Sequence, residues 1–364
     1  MKKVLTVVGA RPQFIKAAPI SKALVELSSL QEVMVHTGQH YDPNMSQSFF
    51  DELDIGVPSH NLEVAGGSHG YQTGEMLKRL EPIVNDEKPD LILVYGDTNS
   101  TLAAALTAAK LCIPLAHVEA GLRSFNRAMP EEVNRVLTDH MSSLLFCPTS
   151  TAVKNLEREG IVGNVSITGD VMYDVALQFS DKSKRKSTVL TDLGLQKYNY
   201  ILATIHRAEN TDRVEFLSNI FQALETMSEE MDVVVPLHPR TRKMLTSYGL
   251  LEQFHGIKFT QPVGFLDMIA LESHAKLIVT DSGGVQKEAY FHRVSCVTLR
   301  TETEWIETVE AKWNMLADVD SIDQICQVIR ESLSCACQRT EIPDYGDGAA
   351  AHKIVQRLNE FIPA

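Results

Sequence analysis

Short apolar runs recur along this chain, with amphipathic stretches between them. In the first half these runs are residues 4–8, 33–36, 91–95, 115–118, 144–147 and 165–168. A second series follows at residues 200–204, 233–237, 257–260, 277–280 and 296–299. Continuous apolar runs of this length are typical of parallel strands buried on both faces, and amphipathic helices would cover the sheet. The pattern therefore predicts an α/β protein built from βαβ units.

A polar and charged stretch at residues 178–199 separates the two series. A chain of 364 residues exceeds one typical hydrophobic core, so we predict two domains. The expected fold is α/β, with two doubly wound Rossmann-like domains facing a cleft that their strand ends line. We place the first domain at residues 1–180 and the second at 181–348, with a helix at 349–364 packing back on the first.

The composition fits a globular protein and argues against several partners. Apolar residues make up 44% of the chain, enough for full hydrophobic cores. The net charge of -13 argues against a nucleic-acid or anionic-membrane surface, since the basic residues cluster only at 182–186. No apolar run suits a signal peptide or a membrane span, so we expect a cytoplasmic protein. The six cysteines lack the spacing of a zinc site or a disulfide scaffold, which favours free thiols.

The most distinctive polar segment follows the predicted strand at 277–280. Its sequence is Asp281-Ser282-Gly283-Gly284, and Glu288 comes four residues later. Glycines at a strand-to-helix turn let backbone N–H groups approach a phosphate, and the helix dipole adds positive charge. The Glu288 carboxylate, one helical turn further on, could accept hydrogen bonds from two ribose hydroxyls. The alternative is an ordinary corner in which Ser282 caps the helix.

Other predicted strands also end in charged residues. Arg11 and Lys16 flank a helix start, where an anionic ligand would balance their charge. Four more basic residues follow strands of the second series: His206, Arg207, His238 and Arg240. Together they would make the cleft positive on an acidic molecule, although each histidine taken singly could be structural.

Asp97, Glu119 and Glu131 are the candidate catalytic acids. Asp97 could instead cap the next helix, and Glu131 could be a favourable charge in a first helical turn. Glu119 ends a buried strand and precedes Ala120 and Gly121, so helix-start chemistry does not account for it. Carboxylates near a cationic phosphate site can differ in pKa, as acid and base roles require.

Several well-known motifs are absent from the sequence. It contains no Gly-x-Gly-x-x-Gly after the first strand, no Walker loop, no His-Glu-x-x-His, no Gly-x-Ser-x-Gly and no zinc spacing. The sequence therefore gives no support for an NAD enzyme, an ATPase, a zinc enzyme or a serine hydrolase, and we predict neither a cofactor nor a metal.

Seven polar segments follow one another along the chain. They are Gly9-Ala10-Arg11-Pro12-Gln13-Phe14-Ile15-Lys16, His36-Thr37-Gly38-Gln39-His40, Gly96-Asp97-Thr98-Asn99-Ser100-Thr101, His117-Val118-Glu119-Ala120-Gly121-Leu122-Arg123-Ser124, Pro130-Glu131-Glu132-Val133-Asn134-Arg135, His206-Arg207-Ala208-Glu209-Asn210 and Thr280-Asp281-Ser282-Gly283-Gly284-Val285-Gln286-Lys287-Glu288. In this order they resemble the non-hydrolysing UDP-N-acetylglucosamine 2-epimerases, from residue 4 to about residue 310.

The resemblance implies a glycosyltransferase-B-type homodimer that interconverts UDP-N-acetylglucosamine and UDP-N-acetylmannosamine and supplies precursors for surface polysaccharide. By this analogy the catalytic positions are Asp97, Glu119, Glu131 and His206. The nucleotide contacts are Arg11, Lys16, His238, Ser282, Gly283, Gly284 and Glu288. The predicted substrate-binding set also includes Arg123, Arg240 and Phe265.

The chain departs from the family pattern in two segments. Trp305 replaces a cation near the nucleotide, in the sequence Thr303-Glu304-Trp305-Ile306-Glu307. Residues 39–45, Gln-His-Tyr-Asp-Pro-Asn-Met, differ from a motif that in bacterial members helps to bind an activating second substrate molecule. Activation of that kind is therefore left open.

The chemistry of C2 inversion favours a mechanism that begins with loss of UDP. C2 lies beside an amide nitrogen rather than a carbonyl, so removing its proton leaves no enolate. Departure of UDP from C1 acidifies that proton, and anti elimination gives a 2-acetamidoglucal to which UDP is re-added. These steps need no redox cofactor or metal.

Four alternatives share part of this pattern. Two are epimerases, one acting on UDP-2,3-diacetamido-2,3-dideoxy-glucuronate and one letting water consume the glycal. The third, a metal-independent UDP-sugar transferase, needs an acceptor cleft and one base, so three acids favour an epimerase. The fourth, a non-catalytic UDP-sugar sensor, would need residues 282–288 but neither Glu119 nor Glu131.

Overall fold

A computed structural model describes residues 1–39, 47–334 and 339–362. The chain divides into two compact units. The first contains Met1–Val175 and Pro343–Ala364, and the second contains Ala176–Ile342. The chain therefore enters the second unit once and returns to the first near its C-terminus. The α/β fold class predicted from the apolar runs is confirmed, with one parallel sheet in each unit.

The first unit is built on a parallel sheet. Its strands are β1 (Lys2–Val8), β2 (Leu30–His36), β3 (His60–Asn61), β4 (Leu91–Tyr95), β5 (Leu115–Val118), β6 (Leu144–Cys147) and β7 (Val165–Ile167). The accompanying helices are α1 (Arg11–Glu26), α2 (Gln47–Leu53), α3 (His69–Glu87), α4 (Asn99–Lys110), α5 (Pro130–Met141), α6 (Ser150–Arg158) and α7 (Val171–Lys186), the last of which continues into the second unit. The strand order is β3-β2-β1-β4-β5-β6-β7. Every residue of β4, β5 and β6 is buried, as helices on both faces of a parallel sheet require.

The second unit repeats this arrangement. Its strands are β8 (Tyr200–Thr204), β9 (Asp232–Pro236), β10 (Ile257–Thr260), β11 (Leu277–Thr280), β12 (Ser295–Thr298) and β13 (Asn314–Leu316), in the order β10-β9-β8-β11-β12-β13. Its helices are α8 (Val189–Asp192), α9 (Ala208–Thr211), α10 (Val214–Ser228), α11 (Pro239–Ser247), α12 (Phe265–His274), α13 (Gly283–Phe291), α14 (Ile306–Glu310) and α15 (Ile322–Ser334). Short 3-10 helices occur at Leu251–Gln253 and, back in the first unit, at Pro343–Tyr345.

The C-terminal helix α16 (Ala350–Phe361) belongs to the first unit and contacts α1. The buried Asp174 carboxylate accepts hydrogen bonds from the backbone N–H groups of Ala350 and Ala351, at 3.1 and 2.8 Å. These contacts satisfy N–H groups that have no partner inside the helix. The start of α16 is thereby held to α7 within this unit.

Both sheets have a switch point, where neighbouring strands lead the chain toward opposite edges of the sheet. In the first unit β1 pairs with β4, and in the second β8 pairs with β11. Ligands of open parallel sheets bind beyond the carboxyl ends of the strands at such points. Within the described ranges, no helix is both long and apolar enough to cross a membrane.

Candidate active site

The switch point of the first unit brings a cation and a buried carboxylate together. Lys16, in the second turn of α1, forms an ion pair with Glu119, which directly follows β5. The exposed fraction is 18% for the Lys16 side chain and 4% for Glu119. Gly96, after β4, lies beside both charges, since a Cβ there would be 3.3 Å from the Glu119 carboxylate and 3.5 Å from the Lys16 ammonium.

Glu119 has an unusual backbone conformation. Its φ is 68°, in the left-handed region that residues other than glycine rarely occupy. A strained, buried carboxylate at a strand end is common in functional sites, because packing and stability alone do not select it. Glu119 is therefore the predicted acid with the strongest structural support for a chemical role.

Asp97 also lies at this switch point, one residue beyond Gly96. Its carboxylate accepts a hydrogen bond from Arg135 Nε at 3.1 Å, and its backbone carbonyl accepts one from Asn134 Nδ2 at 2.9 Å. Both partners lie in α5, and the Arg135 side chain is only 4% exposed. Thr98, rather than Asp97, caps α4 through its side chain. The helix-capping explanation for Asp97 therefore does not hold.

Glu131 and its neighbour Glu132 have different environments in the first turn of α5. Glu131 is exposed. Glu132 is buried and accepts hydrogen bonds from the backbone N–H groups of Ser124 and Phe125, at 2.9 and 3.0 Å, and from Arg135 at 3.0 Å. Glu132 thus holds the loop after β5, which leaves Glu131 accessible from solvent.

Arg123, predicted to bind substrate, lies inside a buried ion-pair network. Its guanidinium donates to Asp139 at 2.7 Å and to Glu159 at 2.7 and 2.8 Å, and its side chain is 1% exposed. Burial alone would lower the pKa of Arg123, but the carboxylates of Glu159 and Asp139 raise it. His117 Nε2 donates a hydrogen bond to the Gly96 carbonyl at 2.8 Å, and its Nδ1 lies 2.7 Å from the Asp139 carboxylate. The network therefore connects Arg123 to the switch point and gives it a positioning role.

Gln13 has a role that the sequence analysis did not assign. Its Oε1 accepts hydrogen bonds from the N–H groups of Gly9 and Ala10, and its Nε2 donates to the Tyr95 carbonyl at 2.8 Å. Gln13 thereby joins the end of β1 to the end of β4 and shapes the turn that precedes Arg11. The signal was present, because Gln three residues after a helix N-cap is a capping-box position.

In the second unit, Asp281 organises the loop opposite it at the switch point. The buried carboxylate accepts hydrogen bonds from the backbone N–H groups of His206, at 3.0 Å, and Arg207, at 3.0 Å, and from Asn210 Nδ2 at 3.2 Å. Asp281 therefore fixes the turn after β8, and it faces inward rather than toward a ligand.

Three of the predicted cationic residues surround this turn. The His206 ring is 39% exposed, its Nδ1 is 3.5 Å from Asp281, and its centroid is 5.4 Å from that of His238. His238 caps α11 by accepting a hydrogen bond from the Arg240 backbone N–H at 3.2 Å. The Arg240 side chain donates to Thr211 at 2.9 Å and to Asp212. The two histidines therefore lie together, while Arg240 stabilises α9.

The predicted phosphate turn begins α13. Ser282 is the N-cap residue, but its side chain makes no capping hydrogen bond, so the simple capping explanation does not hold. A Cβ on Gly283 would overlap the Glu304 carboxylate, whereas a Cβ on Gly284 would come no closer than 4.0 Å to a neighbouring atom, Ser282 Oγ. A side chain at position 283 would thus displace the Glu304 carboxylate, whereas position 284 leaves open space at the helix start.

Glu288 lies in α13 and is half-buried. Its side chain is hydrogen-bonded to that of Glu272 in α12, a fully buried acid that the sequence analysis did not identify. Burial and the neighbouring negative charge of Glu288 raise the pKa of Glu272 well above its ordinary value. The sequence gave no signal for this pairing, because the two acids lie on different helices.

Two further positions complete the second unit. Phe265, predicted to bind substrate, is buried at the start of α12, with its ring centroid 5.2 Å from that of Phe179. Trp305 is buried and stacks under the Lys287 ammonium, which lies 4.2 Å from its ring centroid. Trp305 stands where the family pattern has a cation, and in this chain a different cation, Lys287 of α13, lies against its ring.

Some predictions concern residues outside the described ranges. Residues 40–45 of the divergent segment, Cys335 and Cys337 are among them. The described cysteines 112, 147, 296 and 326 are free thiols, and burial raises the pKa of Cys296 to about 12. Within the described residues, no group of histidine, cysteine and acidic side chains is arranged to hold a metal ion.

Comparisons with known proteins agree on one family. The family model "UDP-N-acetylglucosamine 2-epimerase" matches residues 22–359. A UDP-N-acetylglucosamine 2-epimerase homolog of Methanococcus maripaludis is 52% identical, over 99% of this chain and 100% of that protein. UDP-2,3-diacetamido-2,3-dideoxy-D-glucuronate 2-epimerase of Pseudomonas aeruginosa is 48% identical, over 98% of this chain and 99% of that protein.

A solved structure confirms the glycosyltransferase-B-type fold class. The crystal structure of Methanocaldococcus jannaschii UDP-GlcNAc 2-epimerase in complex with UDP-GlcNAc and UDP matches with a TM-score of 0.92 and 42% identity, over 98% of this chain and 99% of that chain. The family resemblance of the seven polar segments is confirmed as well. This chain is an epimerase and belongs to the UDP-N-acetylglucosamine 2-epimerase family.

Proposed function

We propose that this enzyme inverts C2 of a UDP-2-acetamido sugar by eliminating UDP and adding it back. The observation that carries the proposal is the buried Glu119 carboxylate, held beside Lys16 and Gly96 in a strained backbone conformation. A carboxylate of this kind suits proton transfer at a carbon, because it can accept a proton without first losing a water shell.

The acids of the first unit would carry out the proton transfers. One face of the sugar needs a base and the other an acid, so at least two of Asp97, Glu119 and Glu131 should be essential. Lys16 and Arg11 would stabilise the charge that grows on the departing diphosphate, since each well-placed donor can contribute about 3 kcal/mol to the transition state. By the family resemblance, His206 would be a further catalytic residue.

The second unit would bind the uridine nucleotide. The N–H groups at Gly283 and Gly284 start a nine-residue helix, where a diphosphate is favourable. The Ser282 N–H donates to Thr280 Oγ1 at 2.9 Å, so Ser282 would contribute its hydroxyl instead. Glu288 would accept hydrogen bonds from the ribose hydroxyls, and His238 would contribute a further polar contact.

The substrate has two candidates. UDP-N-acetylglucosamine is supported by the M. jannaschii structure, whose bound ligands are UDP-GlcNAc and UDP. UDP-2,3-diacetamido-2,3-dideoxy-glucuronate is supported by the P. aeruginosa relative, which at 48% is more similar to this chain than the 43% and 42% identical UDP-N-acetylglucosamine 2-epimerases. We place UDP-N-acetylglucosamine first because the matching family model is named for the epimerase that acts on it.

One assay separates the candidates. The enzyme is incubated with each UDP-sugar in D₂O, and C2 is followed by NMR. Deuterium at C2 together with a UDP-sugar of manno configuration supports the proposal and identifies the substrate. Free sugar plus UDP would indicate a hydrolysing epimerase. If neither substrate reacts, the proposal is contradicted.

We also propose that the enzyme acts as a cytoplasmic homodimer that supplies precursors for surface polysaccharide. The sequence predicts the compartment, and the resemblance to the family implies the dimer. Light scattering on the purified protein tests the dimer, with a mass near twice the 40.4 kDa of one chain expected.

A further inference from the structure

We propose that Glu272 is a positioning residue that holds the Glu288 carboxylate ready for the ribose hydroxyls of a uridine nucleotide. The inference rests on the proposed function, which gives Glu288 its ribose contact. Glu272 lies in α12 and Glu288 in α13, two helices that contact each other, and a hydrogen bond joins the two side chains.

The surroundings of Glu272 favour a neutral carboxyl group. Glu272 is 2% exposed, and its Oε1 receives no hydrogen bond from an N–H or O–H group of the described residues. An ionised carboxylate in such a place would cost several kcal/mol. Its basic neighbour is His292, whose Nε2 lies 3.7 Å from Glu272 Oε2. Burial lowers the pKa of His292 to about 4, so this ring carries no positive charge at neutral pH.

Two further titratable groups that interact with Glu272 also stay uncharged. Tyr200 of β8 and Cys296 of β12 both interact with Glu272, and burial raises the pKa of each. Burial, followed by the charge and hydrogen bond of Glu288, raises the pKa of Glu272 itself. The pair therefore has one proton, which Glu272 donates, and one negative charge, which Glu288 carries.

This arrangement would orient Glu288 before the nucleotide binds. Glu288 lies in α13 and His292 is the C-cap residue of that helix, four residues further on, and both contact Glu272. A donated hydrogen bond fixes the orientation of the Glu288 carboxylate, and a carboxylate has several lone pairs with which to accept hydrogen bonds from hydroxyls. Less side-chain freedom is then lost on binding, which increases affinity for a ligand that has those hydroxyls.

The test compares UDP with 2′,3′-dideoxy-UDP, which lacks both ribose hydroxyls, by calorimetric titration of the full chain. For the wild type, UDP should bind more tightly than the dideoxy compound. Glu272→Met should weaken UDP about tenfold and change the dideoxy compound less than about twofold. Glu272→Gln, which keeps a donor, should stay within about twofold of the wild type for both.

Glu225→Met is the matched control. The Glu225 carboxylate accepts hydrogen bonds from the N–H groups of His255 and Gly256, which lie in neither α12 nor α13. This variant should leave the ratio of the two nucleotide affinities unchanged. If Glu272→Met does not fold, infrared spectroscopy of the wild type at pH 7 should still show a protonated-carboxyl band that Glu272→Gln removes.

Three outcomes would overturn the positioning role. They are equal weakening of both nucleotides by Glu272→Met, no weakening of either, and the absence of the carboxyl band. The D₂O assay on the wild type keeps the proposed function separate. Epimerisation without the selective effect removes only the inference about Glu272, whereas a wild type that epimerises neither UDP-sugar removes the proposed function and the inference together.

Discussion

The ammonium group of Lys16 is ion-paired with the carboxylate of Glu119 at the switch point of the first sheet. Glu119→Gln keeps the shape of the side chain but cannot accept a proton, so kcat should fall by about 100-fold or more. UDP affinity should change little, because Glu119 itself is not among the proposed nucleotide contacts. Steady-state kinetics and calorimetry measure the two quantities.

Lys16→Ala serves as the companion variant. Since Lys16 would act on charge that develops in the transition state, kcat should fall as well as affinity. A change in KM alone would contradict the assigned role of the cation.

Glu131 and Glu132 provide a matched pair of adjacent acids. Glu132→Gln should destabilise the protein by about 2 kcal/mol, because the buried carboxylate accepts hydrogen bonds from Ser124, Phe125 and Arg135. Glu131→Gln should lower kcat without changing Tm, since Glu131 is exposed. Thermal unfolding and turnover are measured for both variants. Loss of stability in the Glu131 variant would argue for a structural role there.

Gly283 and Gly284 form a second matched pair. Gly283→Ala should lower Tm modestly, because its Cβ would push the Glu304 carboxylate away from its ion-pair partners Arg207 and Arg300. Gly284→Ala should leave Tm unchanged, since a Cβ there meets open space. If the diphosphate binds at this turn, Gly284→Ala should nevertheless weaken UDP by about tenfold or more, as the methyl group enters the phosphate's position. Unchanged UDP affinity in the Gly284 variant would place the phosphate elsewhere.

The raised pKa of Glu272 predicts that the free energy of unfolding depends on pH. Its pKa is raised well above the ordinary 4.5, so the folded protein keeps a proton that the unfolded chain releases above that value. Stability from this group is therefore full below about pH 4.5 and is lost as pH rises toward the folded pKa, by about 1.4 kcal/mol per pH unit. Glu272→Gln removes this dependence.

The Tm of Glu272→Gln relative to the wild type should therefore increase between pH 5 and pH 8. Titration of other groups, including the nearby His292, is present in both proteins and cancels to first order. Parallel Tm curves for the two proteins across this range would show that Glu272 ionises in the folded state as it does in the unfolded chain.

The sequence predicted the strands that build the two sheets, because continuous apolar runs identify buried parallel strands. Each of the eleven predicted runs overlaps a strand. The strands β3 (His60–Asn61) and β13 (Asn314–Leu316) were missed. Both are edge strands of three residues or fewer, and polar side chains such as Asn314 mask any apolar pattern. Neighbouring strands, rather than local preference, create them.

Candidate site residues could be predicted from the sequence where they belong to motifs near the strand ends. Glu119, Lys16 and Gly283 belong to motifs that the chain displays in order. The inward-facing partners were not predictable, because the role of Asp281 or Arg123 depends on which loops the fold brings near them. Glu272 is the clearest case, since its partner Glu288 lies on a different helix.

The central claim is that UDP leaves the anomeric carbon before C2 is inverted. The direct test uses a UDP-sugar labelled with ¹⁸O in the oxygen that bridges C1 and the β-phosphorus. If the C1–O bond breaks reversibly, the freed β-phosphate rotates and the label spreads into its non-bridging oxygens, at a rate at least equal to C2 deuterium incorporation. C2 inversion with the label retained in the bridge would contradict the account.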